Sequence, residues 1–270
     1  MDYLKDMKER QKEFLTNPRE NISKFLNEEK KYCEGLAKLS IAQGRPEMLI
    51  LFKDFHNQYS ILVNKMLQRQ LISAASFKDE LQEVSVLQML DDMKRPLEDY
   101  QNKSKPLEIT MPMLKKSYAS LMEILWNKIR RTIFFAGLNP KQTHLNLSKI
   151  EQNLIKLEKD YSIDLSLLKK ILNGKLRNTI DHEKTYFEHP NFLVFMDERN
   201  GRLEEFYRIN DITLMEELIK LFVIISALHH VEVTVMVIHL ENLLKLDNLQ
   251  LEGFCKTGKF NDEMIKRINQ

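Results

Sequence analysis

Apolar residues recur at intervals of three and four along most of this chain, and this helical spacing constrains its fold more than any other feature. Leu49, Phe52, Phe55, Tyr59 and Leu62 show the pattern clearly. Such spacing places side chains on one face of an α-helix, which is then buried against a neighbour. Glycine and proline, which interrupt helices, number only seven each among 270 residues. The sequence therefore predicts an all-α helical bundle.

Breaks in the helical pattern divide the chain into three parts. Residues 100–110 are polar and contain a proline, which predicts a linker. We therefore expect an additional N-terminal helical region over 1–105 and a second helical domain over 106–246. Residues 247–270 have a mixed pattern and are expected to form a C-terminal tail.

Short capping signals predict where individual helices begin and end. In the N-terminal region, Asn17-Pro18 predicts a helix start, and one long helix is expected over 47–73. Serine or threonine followed three positions later by glutamate is the capping-box pattern. Further helix starts are predicted at Ser76, which Asp79 follows by three positions, and at Thr110, Ser148, Asp164 and Thr213, with helix ends before Pro96 and at Gly137.

One segment departs from the helical period and predicts a β-hairpin at about 192–209. Its two halves, 192–196 and 203–209, are rich in aromatic and β-branched residues. Asn200-Gly201 lies between them, and this dipeptide is a strong signal for a two-residue hairpin turn. The full expectation is a helical bundle with one β-hairpin insertion.

The charge and cysteine content favour a cytoplasmic protein whose net electrostatic potential is weak. Lysine and arginine total 41 against 39 acidic residues, so the formal net charge is only +2. No global potential then draws the chain to nucleic acid or to a membrane. Cys33 and Cys255 lie far apart and form no CxxC pair, which favours a reducing compartment.

The most apolar segment, 221–240, is about long enough to span a bilayer, which takes ~20 residues. It contains His229, Glu232 and His239, and ionisable groups at bilayer depth are costly. A helix buried in a protein core is the favoured interpretation, and no membrane association is expected.

Residues 176–182, with the sequence Leu-Arg-Asn-Thr-Ile-Asp-His, gather the side chains best suited to chemistry. Arg177 offers a planar set of donors that suits a phosphate. His182 can accept or donate a proton near neutral pH, and Asn178 can orient either partner. In a regular helix, positions 177 and 182 point ~140° apart. The alternative interpretation is a solvated helix end in which these residues make only caps and solvent contacts.

The order of features around these residues resembles the HEPN superfamily. A helix ends in the R-N-x3-H pattern, a hairpin follows, and a capped amphipathic helix comes next, over about 110–246. The resemblance implies a HEPN-like helical domain, and it does not extend to the N-terminal helices. Many members of the family are metal-independent endoribonucleases of antiphage, abortive-infection or toxin systems, while others are non-catalytic scaffolds.

The resemblance also implies roles for individual residues. His182 would be the general acid or base, Arg177 would bind the scissile phosphate, and Asn178 would position one of them. Two motifs usually meet across a homodimer, so the partners expected are RNA, a second copy of the chain, and an antitoxin or defence protein. Cleavage by the RNA 2′-OH needs no metal and no cofactor. Lys175, Lys184 and Arg202 are the expected RNA-binding residues, and further cations that could share one face are Lys169, Lys170, Arg199 and Arg208.

Some family members carry R-x4-H-x-Y, in which the tyrosine is a nucleotidylation target. Here Lys184 occupies that position and the nearest tyrosine is Tyr186, which places this regulation in doubt.

Two other groups of side chains suggest metal sites with less support. His229, His230 and Glu232 are close in sequence, but adjacent histidines on a helix diverge by ~100°. Glu183, Glu188 and His189 near His182 match no strong ligand spacing. Polar core or interface roles are favoured for both groups, so no metal is expected. The alternative to the nuclease is a helical interaction protein.

Overall fold

A computed structural model describes residues 16–24, 27, 46–69, 95–138, 147–172, 185–199 and 202–257. Within these ranges, 76% of the residues are helical and form eight helices, and the rest include a small three-stranded antiparallel sheet. The prediction of a mainly helical protein is therefore confirmed. The helix expected from Ser76 to just before Pro96 lies almost wholly outside the described residues.

In the described part of the chain, six helices precede the sheet, and several of their predicted limits are confirmed to within a few residues. Asn17 directly precedes α1, as its pairing with Pro18 predicted. The polar stretch 100–110 is a tight turn at 102–106 between two helices. The six are α1 (18–24), α2 (Pro46–Gln68), α3 (95–101), α4 (Leu107–Phe135), α5 (Leu147–Tyr161) and α6 (Ser166–Leu172).

The predicted start of α4 at Thr110 is wrong by three residues. The backbone N–H groups of Ile109 and Thr110 both donate to the Pro106 carbonyl, so the helix begins at Leu107. Pro112 is therefore inside the helix rather than in its first turn. Proline lacks an N–H, and the carbonyl that loses its helical donor belongs to the exposed Glu108. That position tolerates the loss because solvent is available there.

Three helices end in the same Schellman geometry, with a left-handed residue just after the last turn. Gly137 has φ +72° at the end of α4, where the Leu138 N–H donates to the Ile133 carbonyl. Lys103 and Ser162 occupy the equivalent positions after α3 and α5, with φ of 50° and 49°. Only the helix end at Gly137 was predicted from the sequence, because glycine lacks a Cβ and adopts this conformation readily.

The sheet contains the predicted hairpin and one additional strand. Strands β2 (Phe192–Arg199) and β3 (Arg202–Asn210) pair antiparallel on either side of Asn200-Gly201. Strand β1 (Thr185–Glu188) pairs with 192–195 only, so the sheet order is β1-β2-β3. A register shift between Phe195 and Met196 marks the point at which β1 no longer accompanies the hairpin. The expectation of a single hairpin is corrected to a three-stranded sheet.

Between the sheet and residue 257, where the described chain ends, there are two helices, α7 (Asp211–Leu243) and α8 (Asn248–Thr257). The predicted cap of α7, Thr213, is wrong. The Asn210 side chain accepts a hydrogen bond of 2.8 Å from the Thr213 backbone N–H, so Asn210 is the cap. Sequence analysis did not predict α8. The Asp247 side chain accepts from the Gln250 N–H at 2.9 Å and caps it.

Part of α7 is long and apolar enough to cross a membrane. The stretch Asp211–Val235 meets that criterion among the described residues, and 61% of its most apolar window is buried. Because the core helix of a soluble protein has the same length and composition, this helix is weak evidence for a membrane span.

The chain forms two compact units, and each contains residues distant in sequence. The first unit comprises 1–50, 63–83 and 228–270. In it, the Arg19 guanidinium donates to the Leu244 and Leu246 carbonyls and to Asn248 Oδ1, the first and last at 2.8 and 3.1 Å. These bonds tie α1 to the turn between α7 and α8. The buried apolar residues of this unit include Ile22, Met66, Leu228, Val231, Leu246 and Leu251.

The second unit comprises 51–62 and 84–227 and holds the sheet. Its buried apolar residues lie on α2, α4, α5, α6, the sheet and the first half of α7. The Tyr59 and Thr132 hydroxyls are hydrogen-bonded at 3.0 Å between α2 and α4. The largest buried apolar residues here include Phe55, Leu62, Met111, Leu114, Met122, Leu125, Ile133, Ile150 and Phe195. The domain limits expected near 105 and 246 stay a prediction.

Candidate functional site

The predicted catalytic residues lie outside the part of the chain that the structure describes. Arg177, Asn178 and His182, with the expected RNA-binding residues Lys175 and Lys184, all fall in 173–184. The nearest described elements are α6, which ends at Leu172, and β1, which begins at Thr185. The candidate site is therefore built from the side chains around these two flanking elements in the second unit.

Strand β1 enters the sheet at the middle of β2. Thr185, its first residue, pairs with Phe195 of β2, and Phe195 is fully buried. The half-buried Lys115 of α4 extends toward this pair and places its Nζ 5.3 Å from the centre of the Phe195 ring. A cation over a ring face is attracted by the ring quadrupole, more strongly where water is excluded. The β2 residue that pairs with the first residue of β1 thus has a lysine over its ring.

Sequence analysis gave Lys115 no role, although a signal was available. Met111, Leu114 and Tyr118 are all buried on α4. Lys115 follows Met111 by four residues and precedes Tyr118 by three, so it lies beside the buried stripe. The identity of its aromatic contact, 80 positions away, depends on the tertiary fold.

On the outer face of the sheet, Arg208 of β3 connects all three strands. Its guanidinium contacts Glu188 of β1 at 2.7 Å and Glu205 of β3 at 2.9 Å, and it lies 5.6 Å from the Phe192 ring centre. The hydrogen bonds from Arg208 lower the pKa of Glu205, and those to Glu205 raise the pKa of Arg208. Arg208 therefore fastens the sheet and has two carboxylates as counterions.

The expected basic face is partly neutralised. Lys169 of α6 contacts Glu158 of α5 at 2.6 Å, and Arg208 is paired as described. Arg202, the one expected RNA-binding residue inside the described ranges, is exposed at the start of β3 and pairs in register with Arg199. Arg202 is thus accessible to a polyanion, whereas a polyanion would have to displace carboxylates from Lys169 and Arg208.

A polar network joins the β1–β2 turn to the start of α7. Asp211 accepts hydrogen bonds from the Asn191 side chain at 2.8 Å and from the Tyr100 hydroxyl at 3.0 Å. The Asp211 backbone N–H donates to the Asn191 carbonyl. Burial, and the hydrogen bond to Asp211, raise the pKa of Tyr100 to about 12. Tyr100 therefore stays protonated as a donor, and the network fixes the end of the sheet against α7.

The candidate metal ligands named from the sequence have other contacts where the structure describes them. Glu188 is paired with Arg208, and the exposed His189 lies 2.8 Å from Glu108 of α4. His229 and Glu232 are buried in α7. Among the described residues, no three His, Cys, Asp or Glu side chains are grouped so that they could hold a metal ion.

Comparison with known proteins identifies no relative of this chain: no family model, no curated protein and no solved structure matches it.

Proposed function

We propose that this protein is a metal-independent endoribonuclease with its catalytic residues at 177–182. The observation that carries the proposal is the spacing Arg177, Asn178 and His182, in a stretch that joins α6 to β1. Arg177 supplies a permanent positive charge that can bind a phosphate, and His182, five positions later, supplies a side chain that can exchange a proton near neutral pH. Phosphodiester cleavage uses both of these functions.

The order of elements supports this proposal. Three helices, α4 to α6, precede the stretch, and an antiparallel sheet and the long, capped α7 follow it. This order agrees with the HEPN-like domain that the sequence resemblance implies. We propose that 106–246 form such a domain, with the sheet as its insertion.

The proposed reaction uses the RNA 2′-OH as the nucleophile. As general base, His182 takes the 2′-OH proton and water protonates the departing 5′-oxygen; as general acid, His182 protonates the 5′-oxygen and water takes the 2′-OH proton. The 2′-oxygen bonds to phosphorus, the bond from phosphorus to the 5′-oxygen breaks, and a 2′,3′-cyclic phosphate remains. Arg177 stabilises the negative charge that grows on the non-bridging oxygens. DNA lacks the 2′-OH and is expected to be uncut.

Two copies of the chain complete the proposed site. Within one helix, positions 177 and 182 diverge by ~140°, so a single copy presents them poorly to one phosphate. In a homodimer, Arg177 of one copy and His182 of the other can face the same phosphate. The proposed setting is cytoplasmic antiphage defence or a toxin system, with an antitoxin or defence protein as a further partner.

The proposal is tested by cleavage of total RNA in EDTA, with mapping of the ends. We expect cleavage by the wild type, loss of it in Arg177→Ala and His182→Ala, and an unchanged melting temperature in both variants. His189→Ala is a matched control, because that histidine is exposed and forms a surface pair with Glu108. Full activity in both Arg177→Ala and His182→Ala would show that the site assignment is wrong.

A helical interaction protein is the second candidate function, and strand β3 favours it. Its first five residues are all exposed, including Leu203 at 55% and Phe206 at 38%. Exposed apolar side chains on an edge strand are typical of surfaces that bind another protein. If this function is correct, the purified chain leaves RNA intact, and alanine at 177 or 182 lowers thermal stability.

A further inference from the structure

Strand β3 lies at an edge of the sheet, and its first half is regular and exposed. Among the described strands it pairs with β2 alone. The register shift opposite Phe195 and Met196 leaves Phe206 as an extra residue, a β-bulge that interrupts the regular ladder. Residues 202–205, before this bulge, are all exposed. The outer backbone N–H and C=O groups of such an edge are able to pair with another strand.

Residues 202–204 have a charge order that is complementary to its own reverse. Successive side chains of a strand point to opposite faces, so Arg202 and Glu204 share one face and Leu203 lies on the other. Arg202 and Glu204 are exposed, and neither has an ion-pair partner in the described part of the chain. Leu203 between them is 55% exposed. A second copy of this segment, running in the opposite direction, therefore matches it in charge.

One register of antiparallel pairing uses all three residues. With a two-fold axis through Leu203, this residue lies opposite Leu203 of the second copy. Arg202 of each copy then lies opposite Glu204 of the other, which gives two symmetric ion pairs. Registers centred on Arg202 or on Glu204 place like charges opposite each other, which is destabilising. Registers centred midway between Leu203 and either neighbour place Leu203 opposite a charge.

We propose that residues 202–205 are a docking surface for a second copy of this chain, which adds its own β3 antiparallel to this edge. The two three-stranded sheets then form one continuous sheet. Charged residues on an edge strand discourage indiscriminate pairing, and here the same charges accept the one strand that complements them. The paired segment is short, so the two copies associate reversibly. This interface is independent of the proposed catalytic residues.

The test reverses the charges and measures self-association by sedimentation velocity over a range of protein concentrations. Arg202→Glu and Glu204→Arg are each expected to weaken self-association about tenfold or more, because each turns two attractive pairs into two repulsive ones. The double variant Arg202→Glu/Glu204→Arg restores both pairs and is expected to associate as the wild type does. A mixture of the two single variants is expected to form a mixed dimer, since the charges that face each other are then of opposite sign.

Disulfide cross-linking tests the register separately and also serves if a charge variant does not fold. Residues opposite each other in an antiparallel pair have Cα atoms about 4.5–5.5 Å apart, within the range that a disulfide spans. Leu203→Cys is therefore expected to form a covalent dimer when oxidised glutathione is added. Ile155→Cys on α5 is the matched control, since that residue is 43% exposed, and the wild type reports on the two native cysteines. Neither control is expected to cross-link.

The results that would overturn the proposal are defined by the same measurements. Self-association that both charge reversals leave at the wild-type level would do so, as would equal cross-linking of Leu203→Cys and Ile155→Cys. Weaker RNA binding by Arg202→Glu with unchanged self-association would assign Arg202 to RNA and remove it from this interface. Cleavage of RNA is a separate measurement, so failure of the proposed nuclease function is distinguishable from failure of this inference.

Discussion

Replacement of Asn210 by alanine tests how α7 begins, because the structure has Asn210 as the N-cap whereas the sequence pattern predicted Thr213. The Asn210 side chain accepts a hydrogen bond of 2.8 Å from the Thr213 N–H, one of the N–H groups that the first turn of a helix leaves without a partner. Loss of such a cap costs about 1 kcal/mol. The unfolding entropy of a chain of this size is roughly 0.6 kcal/mol per kelvin, so Asn210→Ala should lower the melting temperature by about 2 °C.

Thr213→Ala is the matched control for this prediction. The sequence pattern names Thr213 as the cap, whereas the structure places it inside the first turn with its side chain exposed. Its replacement should therefore be neutral or slightly stabilising, since alanine has the higher helix propensity. Asn210→Asp should keep the wild-type stability because aspartate caps as well as asparagine. Calorimetry of the four proteins decides the matter, and a larger loss in Thr213→Ala than in Asn210→Ala would refute the assignment.

Three further predictions concern other parts of the fold. Gly137→Ala should destabilise the protein by about 1 kcal/mol in denaturant unfolding, because φ is +72° there and an added Cβ, with nothing within 4 Å, would gain no contact to offset the backbone strain. Ser162→Gly should stabilise it, because glycine relieves the same strain at Ser162, where φ is 49°. Changes of the same sign in both variants would contradict this argument. Ser226→Ala should stabilise by about 1 kcal/mol, since Ser226 is 3% exposed and its hydroxyl has no hydrogen-bond partner in the described part of the chain; a loss of stability in the same assay would reveal a bond to it. Burial lowers the pKa of the His56 imidazole in the folded protein. As the pH falls, this histidine therefore binds a proton in the unfolded state before it does so in the folded state, and the free energy of unfolding should fall as pH drops below about 6.5. His56→Gln should reduce this slope between pH 8 and 5.5, and an unchanged slope would show that His56 does not contribute to it.

Local signals predicted the elements whose cause is local. The Asn200-Gly201 dipeptide predicted the hairpin, because tight hairpin turns in general favour these residue types, and Gly137, with its φ of +72°, predicted the end of α4. The Asp164 side chain accepts from the Ser166 N–H at 2.8 Å, as its predicted capping role requires. In each case the residues that decide the structure are within five positions of one another.

One of the elements that were not predicted depends on a distant partner, and the others have local causes. Strand β1 has only four residues, and its pairing with β2 makes it a strand. The start of α8 was predictable, since Asp247 followed by Gln250 is a capping pattern. Lys103 and Ser162 take the left-handed conformation without glycine, so their helix ends carry no sequence signal.

In the candidate site, too, the features with a local cause were predicted and those that depend on distant residues were not. The spacing of Arg177, Asn178 and His182 is visible in the sequence, because the three residues are neighbours along the chain. The contact between Lys115 and Phe195, and the pairing of Arg208 with Glu188, join segments 20 to 80 positions apart. Packing decides such contacts, and one sequence does not specify them.

Cleavage of RNA by the purified chain in EDTA, wild type beside His182→Ala, tests the central claim most directly. The account predicts fragments that end in 2′,3′-cyclic phosphates from the wild type, none from His182→Ala, and no cut in DNA of the same sequence. Intact RNA with the wild type, or equal cleavage by a folded His182→Ala, would contradict it.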